Sequence, residues 1–191
     1  MRLERLLLIY CISLTIPVVT GVYADGPELA DRMKAGGHLL MIRHAQAPGN
    51  GDPAEFKIGD CFTQRNLDES GRNQARALGD WFRSHGISSA RIYSSQWCRC
   101  LETAALLEMG PVTELPALNS FYERVADREP NLSSLRKFIG SQASEGALII
   151  LVTHQVTISA VTDKYVSSGE GVLLELEDQG SFKVIERLNF E

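Results

Sequence analysis

Residues 38–45, His38-Leu39-Leu40-Met41-Ile42-Arg43-His44-Ala45, decide how this chain folds. An apolar run of this length, bounded by Gly36-Gly37 on one side and by charge on the other, reads as a buried strand rather than a helix. A second run, Ala147-Leu148-Ile149-Ile150-Leu151-Val152, ends the same way, in Thr153-His154. Two core strands that each deliver a histidine at the carboxyl end point to an anion-handling site. In open α/β sheets, ligands bind beyond the carboxyl ends of the strands.

Working outward, helices and strands alternate. A helix is expected over 27–35, closed by Gly36-Gly37. The polar, Gly-, Pro- and Asp-rich stretch 46–66 shows no helical period, and loops of that length in compact domains are usually functional. Asp68 is a candidate cap for a helix running to about His85, with Ala75, Leu78 and Phe82 facing inward and Gly86 as its stop. A short strand over 91–94 leads into a helix over 96–108, and 111–130 reads as irregular. Asn131 is expected to cap a helix to about Ser141, 156–165 reads as helical, and 171–176 with 182–187 form a hairpin around Asp178-Gln179-Gly180. Alternation of this kind predicts a three-layer α/β/α sandwich with a mostly parallel central sheet.

The first residues stand apart. Arg2 and Arg5 precede an apolar stretch from Leu6 to Val19, broken by Pro17, and Val22-Tyr23-Ala24 offers small residues at the usual cleavage positions. This pattern predicts a signal peptide over 1–24 and one domain over 25–191, exported to the periplasm or secreted, with no stable membrane span. The chain has 191 residues and a formal net charge of −5, so generic binding of nucleic acid or anionic membrane is not expected. Any phosphate must be held by a few placed cations.

The motifs together resemble the histidine phosphatase superfamily, the phosphoglycerate-mutase-like fold. Arg43-His44-Ala45 at a strand end is similar to its signature. Leu67-Asp68-Glu69-Ser70-Gly71-Arg72-Asn73-Gln74-Ala75 resembles its next helix start, Tyr93-Ser94-Ser95-Gln96-Trp97-Cys98-Arg99 its Ser-Pro-x-x-Arg segment, and Val152-Thr153-His154 its second histidine. Small exported bacterial members, including those acting on lipopolysaccharide core heptose phosphate, are the ones it looks most like.

The resemblance implies a phosphatase acting on a small phosphorylated substrate, such as a sugar phosphate or a lipopolysaccharide phosphate. It also implies no cofactor and no metal. A neutral imidazole attacks a phosphate ester without charge repulsion and splits one hard step into two. His44 is then the expected nucleophile. Arg43 and Arg99 grip the non-bridging oxygens, since guanidinium matches them bidentately. His154, protonated, completes the clamp, and Gln155 is a further substrate-binding candidate. The leaving oxygen needs a proton donor. One branch of the family carries a Glu after a Leu-Asn pair, where this chain has Leu118-Asn119-Ser120, and the other an Asp after the second histidine, where this chain has Gln155. Glu123 is therefore the candidate general acid, with Asp52, Asp60 and Asp127 in reserve. Without any of these, phosphohistidine, acyl phosphate or anhydride substrates are favoured. Alternatives are a phosphate-ligand binding module with little turnover, and a phosphomutase, against which Ser120 and the leader argue.

His38 and His85 read as capping or solvated residues, and Trp81 and Trp97 as packing residues. Beyond the leader lie Cys61, Cys98 and Cys100. An oxidising compartment favours a disulfide from Cys61 to Cys98 or to Cys100, which point to different sides of a helix. A metal site built on the same cysteines does not fit a familiar zinc spacing.

Overall fold

The computed structural model describes residues 26–142 and 146–190. The leader expected over 1–24 lies outside the described residues.

Six strands make one mixed sheet: β1 (His38–Arg43), β2 (Arg91–Ser94), β3 (Val112–Glu114), β4 (Ile149–Thr153), β5 (Gly171–Leu176) and β6 (Phe182–Leu188), in the order β3-β2-β4-β1-β5-β6. The pairs β3–β2, β2–β4 and β4–β1 are parallel, and β5 runs antiparallel to both β1 and β6. Alternation along the central strands divides the core. Leu40, Ile42, Ile150 and Val152 face one side, where Met33, Leu78, Phe82 and Ala104 cover them. Leu39, Met41, Ile149 and Leu151 face the other, against Leu135, Ile139 and Ile158. The covering helices are α1 (Gly26–Lys34), α2 (Glu69–Ser84) and α3 (Cys98–Leu106) on the first face, and α4 (Arg128–Gly140) and α5 (Gln155–Thr162) on the second. This is the expected three-layer α/β/α sandwich with a mostly parallel sheet.

Local chemistry fixes the elements that shape the site. Asp68 caps α2, its side chain accepting from the Gly71 amide at 2.7 Å. Gly71 is required for a different reason: any Cβ there would strike the backbone carbonyl of Gln46, so α2 packs directly onto the turn that follows β1. Gln74, one turn on, accepts from the Gln46 amide and donates to the Ser168 carbonyl. That side chain ties the turn after β1 to the segment entering β5.

Several expected boundaries move. The helix expected from Gln96 begins at Cys98: Asn119 bonds both the Gln96 amide and its side chain, and Trp97 takes an extended conformation at φ −69° and ψ 133°. The stretch 111–130 is not wholly irregular. It contains β3 and 3₁₀ turns over Pro116–Leu118 and Val125–Asp127, and α4 starts before its end, at Arg128. Pro130 therefore sits in the first turn of α4, where its missing N–H is no loss. Asn131 is consequently not a cap; it lies inside α4 and donates to the Asn119 carbonyl at 3.3 Å. The fifth helix ends at Thr162 rather than near Tyr165, because Asp163 takes a left-handed conformation at φ 55°. No helix among the described residues is long and apolar enough to cross a membrane.

Candidate active site

The two histidines that mark the strand ends come together because β1 and β4 are neighbours in register. Arg43 pairs with Thr153, so His44 and His154 each stand one residue past the paired ends. The His44 amide donates to the Thr153 carbonyl at 3.0 Å, and the two rings lie edge to face with centroids 5.5 Å apart. Both side chains are buried, His44 at 3% exposure and His154 at 4%. They line a cavity of about 340 Å³ that also takes in Arg43, Arg65, Arg99 and Gln155.

The imidazole of His44 is held at one nitrogen. Its Nδ1 lies 2.8 Å from the Ala45 carbonyl, an acceptor only, so Nδ1 carries the hydrogen and Nε2 keeps its lone pair. The Arg99 Nε–H donates to that Nε2 at 3.2 Å. Burial first, then the charge of Arg99, pushes the His44 pKa down to about 3, against the Ala45 bond, which acts to raise it. The ring is neutral at physiological pH.

His154 is also driven well below the ordinary histidine value, by burial and then by Arg99 and the other cations. It stands at the N-terminus of α5, where the helix dipole disfavours a further positive charge. The protonated form expected from the sequence is therefore not the one these surroundings favour. A phosphoryl dianion between the arginines would work the other way. Its Nε2 lies 2.9 Å from the Ser95 hydroxyl and 3.5 Å from the Cys100 thiol.

Arg99 differs from the sequence expectation in a useful way. Its two terminal nitrogens do not form a free fork: Nη1 donates to Asp52 Oδ1 at 2.8 Å and Nη2 to Asp52 Oδ2 at 3.0 Å. The carboxylate thus occupies the end of the guanidinium, and the side edge carrying Nε faces His44. Burial raises the Asp52 carboxyl, but the Arg99 bonds and charge, the Arg65 amide and the Trp97 indole outweigh it and hold the pKa below the usual carboxylate value. Asp52 is accordingly a charged partner of Arg99 and a poor reservoir for a proton. The other reserve donors are also occupied elsewhere: Asp60 caps a 3₁₀ turn through the Phe62 amide, and Asp127 precedes α4 beside Arg124.

Sequence reasoning missed Arg65. It reaches the cavity from the 46–66 loop, with Nε donating to the Gly51 carbonyl at 2.7 Å and Nη1 to the Ala47 carbonyl. Burial and Arg99 lower its pKa, yet an arginine stays charged in such a setting. Nothing local in the sequence marks it, because its place depends on where a long loop returns. Trp97, expected only to pack, both packs and forms cavity wall, with its indole donating to Asp52 Oδ2 at 3.0 Å. His38 and His85 lie apart, bonded to the backbone carbonyls of Gly36 and Trp81. Glu123 and Gln155 both line the cavity. The Glu123 carboxylate lies where a side chain on Gly51 would project, and Gly51 has φ 64°. Gln155 is largely committed, with Nε2 on the Ser159 hydroxyl and Oε1 accepting from the Val166 amide.

The loop carrying Asp52 and Arg65 is tied to α3 by a disulfide between Cys61 and Cys98, the residue before Arg99. Of the two partners left open by the sequence, Cys98 is the one used. Cys100 lies about 200° further round the helix and is a free thiol buried in the core.

Two buried neutral imidazoles, one with its unprotonated nitrogen fixed toward Arg99, within a group of arginines have the chemistry to take a phosphoryl group. Residues 39–128 match the family model described as histidine phosphatase superfamily (branch 1). This match and the shared fold support the histidine phosphatase superfamily for this chain. Members of this superfamily carry out phosphatase- or mutase-type chemistry. The matched segment includes His44, Asp52, Arg65, Arg99 and Glu123; His154 lies beyond it.

Solved structures of the same fold include the protein histidine phosphatase SixA complexed with tungstate. It is 14% identical, covers 80% of this chain and 97% of its own, and superposes with a TM-score of 0.58. A phosphoglycerate mutase from Thermus thermophilus is 19% identical, with 80% and 98% covered and a TM-score of 0.55. A search of curated protein sequences returns no significant match. The superfamily fold is thus shared with both a phosphatase and a mutase, and it is the residues of the site that bear on the reaction.

Proposed function

We propose that this protein is an exported phosphatase that hydrolyses a phosphate monoester through a phosphohistidine on His44, without a metal. The observation that carries the reading is the state of His44: a buried, neutral ring, held at Nδ1 by the Ala45 carbonyl, with the lone pair of Nε2 facing the cavity's cations and accepting from the Arg99 Nε–H. The lone pair of Nε2 attacks phosphorus, the ester P–O bond breaks, and water then attacks the phosphohistidine to release inorganic phosphate and restore the ring. Arg43, Arg65 and Arg99 balance the phosphoryl oxygens, and His154, edge to face with His44, adds a donor.

Charge supports a monoester in particular. Four guanidiniums, from Arg43, Arg65, Arg99 and Arg124, outnumber the Asp52 and Glu123 carboxyl groups on the cavity wall around two neutral imidazoles, and this excess of positive charge suits a dianion. Glu123 is the proposed proton donor to the leaving oxygen, supported by its position on the cavity wall. Export is supported by the leader pattern and by the Cys61–Cys98 disulfide, a bond that persists in oxidising compartments. Sugar phosphates, lipopolysaccharide phosphates and phosphohistidine are the substrate classes to assay first. The last is named because the structurally similar SixA is a protein histidine phosphatase.

Steady-state hydrolysis across that panel tests the reading. His44→Ala is expected to abolish phosphate release, while EDTA leaves the parent protein unaffected. Activity lost to chelation and restored by added zinc or magnesium would overturn the metal-free route. Phosphoryl transfer to a second alcohol in preference to water would make the protein a mutase instead.

A further inference from the structure

We propose that Asp52 is a positioning residue for the phosphoryl transfer: by occupying the end of the Arg99 guanidinium it turns the remaining edge of that group toward His44. The inference rests on the phosphatase reading for its kinetic consequences, though not for its geometry. Asp52 accepts four hydrogen bonds, from Arg99 Nη1 at 2.8 Å, Arg99 Nη2 at 3.0 Å, the Trp97 indole at 3.0 Å and the Arg65 amide at 3.0 Å. Its side chain is 6% exposed and that of Arg99 is 4%, so this ion pair is well shielded from solvent. A buried carboxylate satisfied on both oxygens is a rigid anchor.

The geometry of guanidinium gives the anchor its purpose. Its five N–H groups lie in one plane, two pairs of them forming usable edges. With the Nη1/Nη2 end held by Asp52, the Nε/Nη2 side is the edge left over, and Nε already points at His44 Nε2 at 3.2 Å. When that nitrogen bonds phosphorus its lone pair is spent, and the Arg99 Nε–H it accepted from is released, together with Nη2, to the phosphoryl oxygens. Without Asp52, Arg99 is free to turn its end toward the anion and bind it away from the line of attack. A displacement of about 1 Å in such a group can cost on the order of 10²-fold in rate.

Asp52 also reduces the positive charge of the cluster by one, so that Arg43, Arg65 and Arg99 coexist within one cavity. Its low pKa keeps this arrangement intact into mildly acidic solution. The same loop is held on the other side by the Cys61–Cys98 disulfide, and the Cys98 amide donates to Gln64 Oε1 at 3.0 Å.

The test compares the parent chain with Asp52→Asn and Trp97→Phe, the second removing one donor to Asp52 while retaining an aromatic ring. Turnover of p-nitrophenyl phosphate gives kcat and KM, calorimetry gives the affinities for vanadate and for inorganic phosphate, and thermal melts report folding. Asp52→Asn is expected to lower kcat about 10²-fold with KM changed less than about 3-fold. Vanadate, which adopts the five-coordinate geometry of the transition state, is expected to weaken by a similar factor and phosphate by much less. Trp97→Phe should shift the same quantities in the same direction by a smaller amount. A folded Asp52→Asn protein with unchanged kcat and unchanged vanadate affinity would overturn the proposal. So would equal weakening of vanadate and phosphate. If the parent protein turns over no phosphate ester, the phosphatase reading fails, and the vanadate comparison alone decides the role of Asp52. A parent that binds no vanadate overturns both.

Discussion

The ring of His44 is fixed by a neighbour in sequence: the Ala45 carbonyl accepts a hydrogen bond from Nδ1–H and so leaves the lone pair on Nε2. No residue far along the chain is needed for that step, whereas the cations around it arrive from three separate segments. Strand-end position and the family resemblance marked Arg43, His44, Arg99 and His154 in the sequence, and the structure gathers all four around one cavity. Arg65 and the true partner of Asp52 were not legible, since their positions depend on how a long loop folds back. Glu123 sits between these cases: it lines the cavity, at a distance in sequence from every other member of the site. Glu123→Gln is expected to slow hydrolysis of alkyl phosphates about 10²-fold or more, as loss of a general acid does. The same change should affect p-nitrophenyl phosphate much less, because its leaving group needs little protonation. Equal effects on the two substrates, measured as kcat/KM, would remove Glu123 from the acid role.

At the scale of elements, the site is an assembly of strand ends and one stapled loop. The strands and α2 were readable because their signals are local: apolar runs in β1 and β4, the Asp68 cap, and Gly86 at φ 78° after the helix. Three-residue β3 and the early start of α4 were not, because a proline in a first helical turn looks the same as a proline in a loop. The disulfide could be narrowed to two partners by sequence but not chosen, since the choice depends on which face of α3 meets the loop. Replacing Cys61 and Cys98 together by serine should cost about 2–4 kcal/mol, or roughly 4–16 °C in Tm. Because the staple adjoins Arg99, kcat should also fall below the parent at temperatures where the double variant remains folded. An unchanged kcat would show that the loop holds its place through Asp52 and Gln64 alone. Cys100, whose pKa burial pushes up to about 12, should resist alkylation by iodoacetamide until the protein unfolds. Labelling of the native protein at Cys100 would contradict its placement in the core.

For the whole molecule, an acidic chain concentrates four arginines and two uncharged histidines around one cavity at the end of its sheet. This arrangement has a consequence for stability. His44 has a pKa of about 3 in the folded state and an ordinary value of 6.5 when unfolded, so the unfolded chain binds the extra proton between those pH values. Its contribution is present above pH 6.5 and is lost as pH falls toward 3, at about 1.4 kcal/mol per pH unit. His154 is shifted the same way and adds to the slope. Denaturant titrations from pH 7 to 4 should show this loss, and His44→Gln should flatten it. A slope unchanged in that variant would mean that His44 is already protonated in the native protein. Fold class was legible at this scale because alternating helices and strands leave few architectures, and the match of the two strand-end histidines across β1 and β4 followed from it.

The proposed reaction passes through a covalent bond between phosphorus and His44 Nε2. Rapid mixing with a turned-over phosphate ester, quenching in base and mapping of the phosphorylated peptide tests it directly. One phosphate on the peptide containing His44, stable to base, released by acid and absent from His44→Ala, is the expected outcome. Full turnover with no phosphorylated protein, or an acid-stable phosphate on another residue, would contradict it.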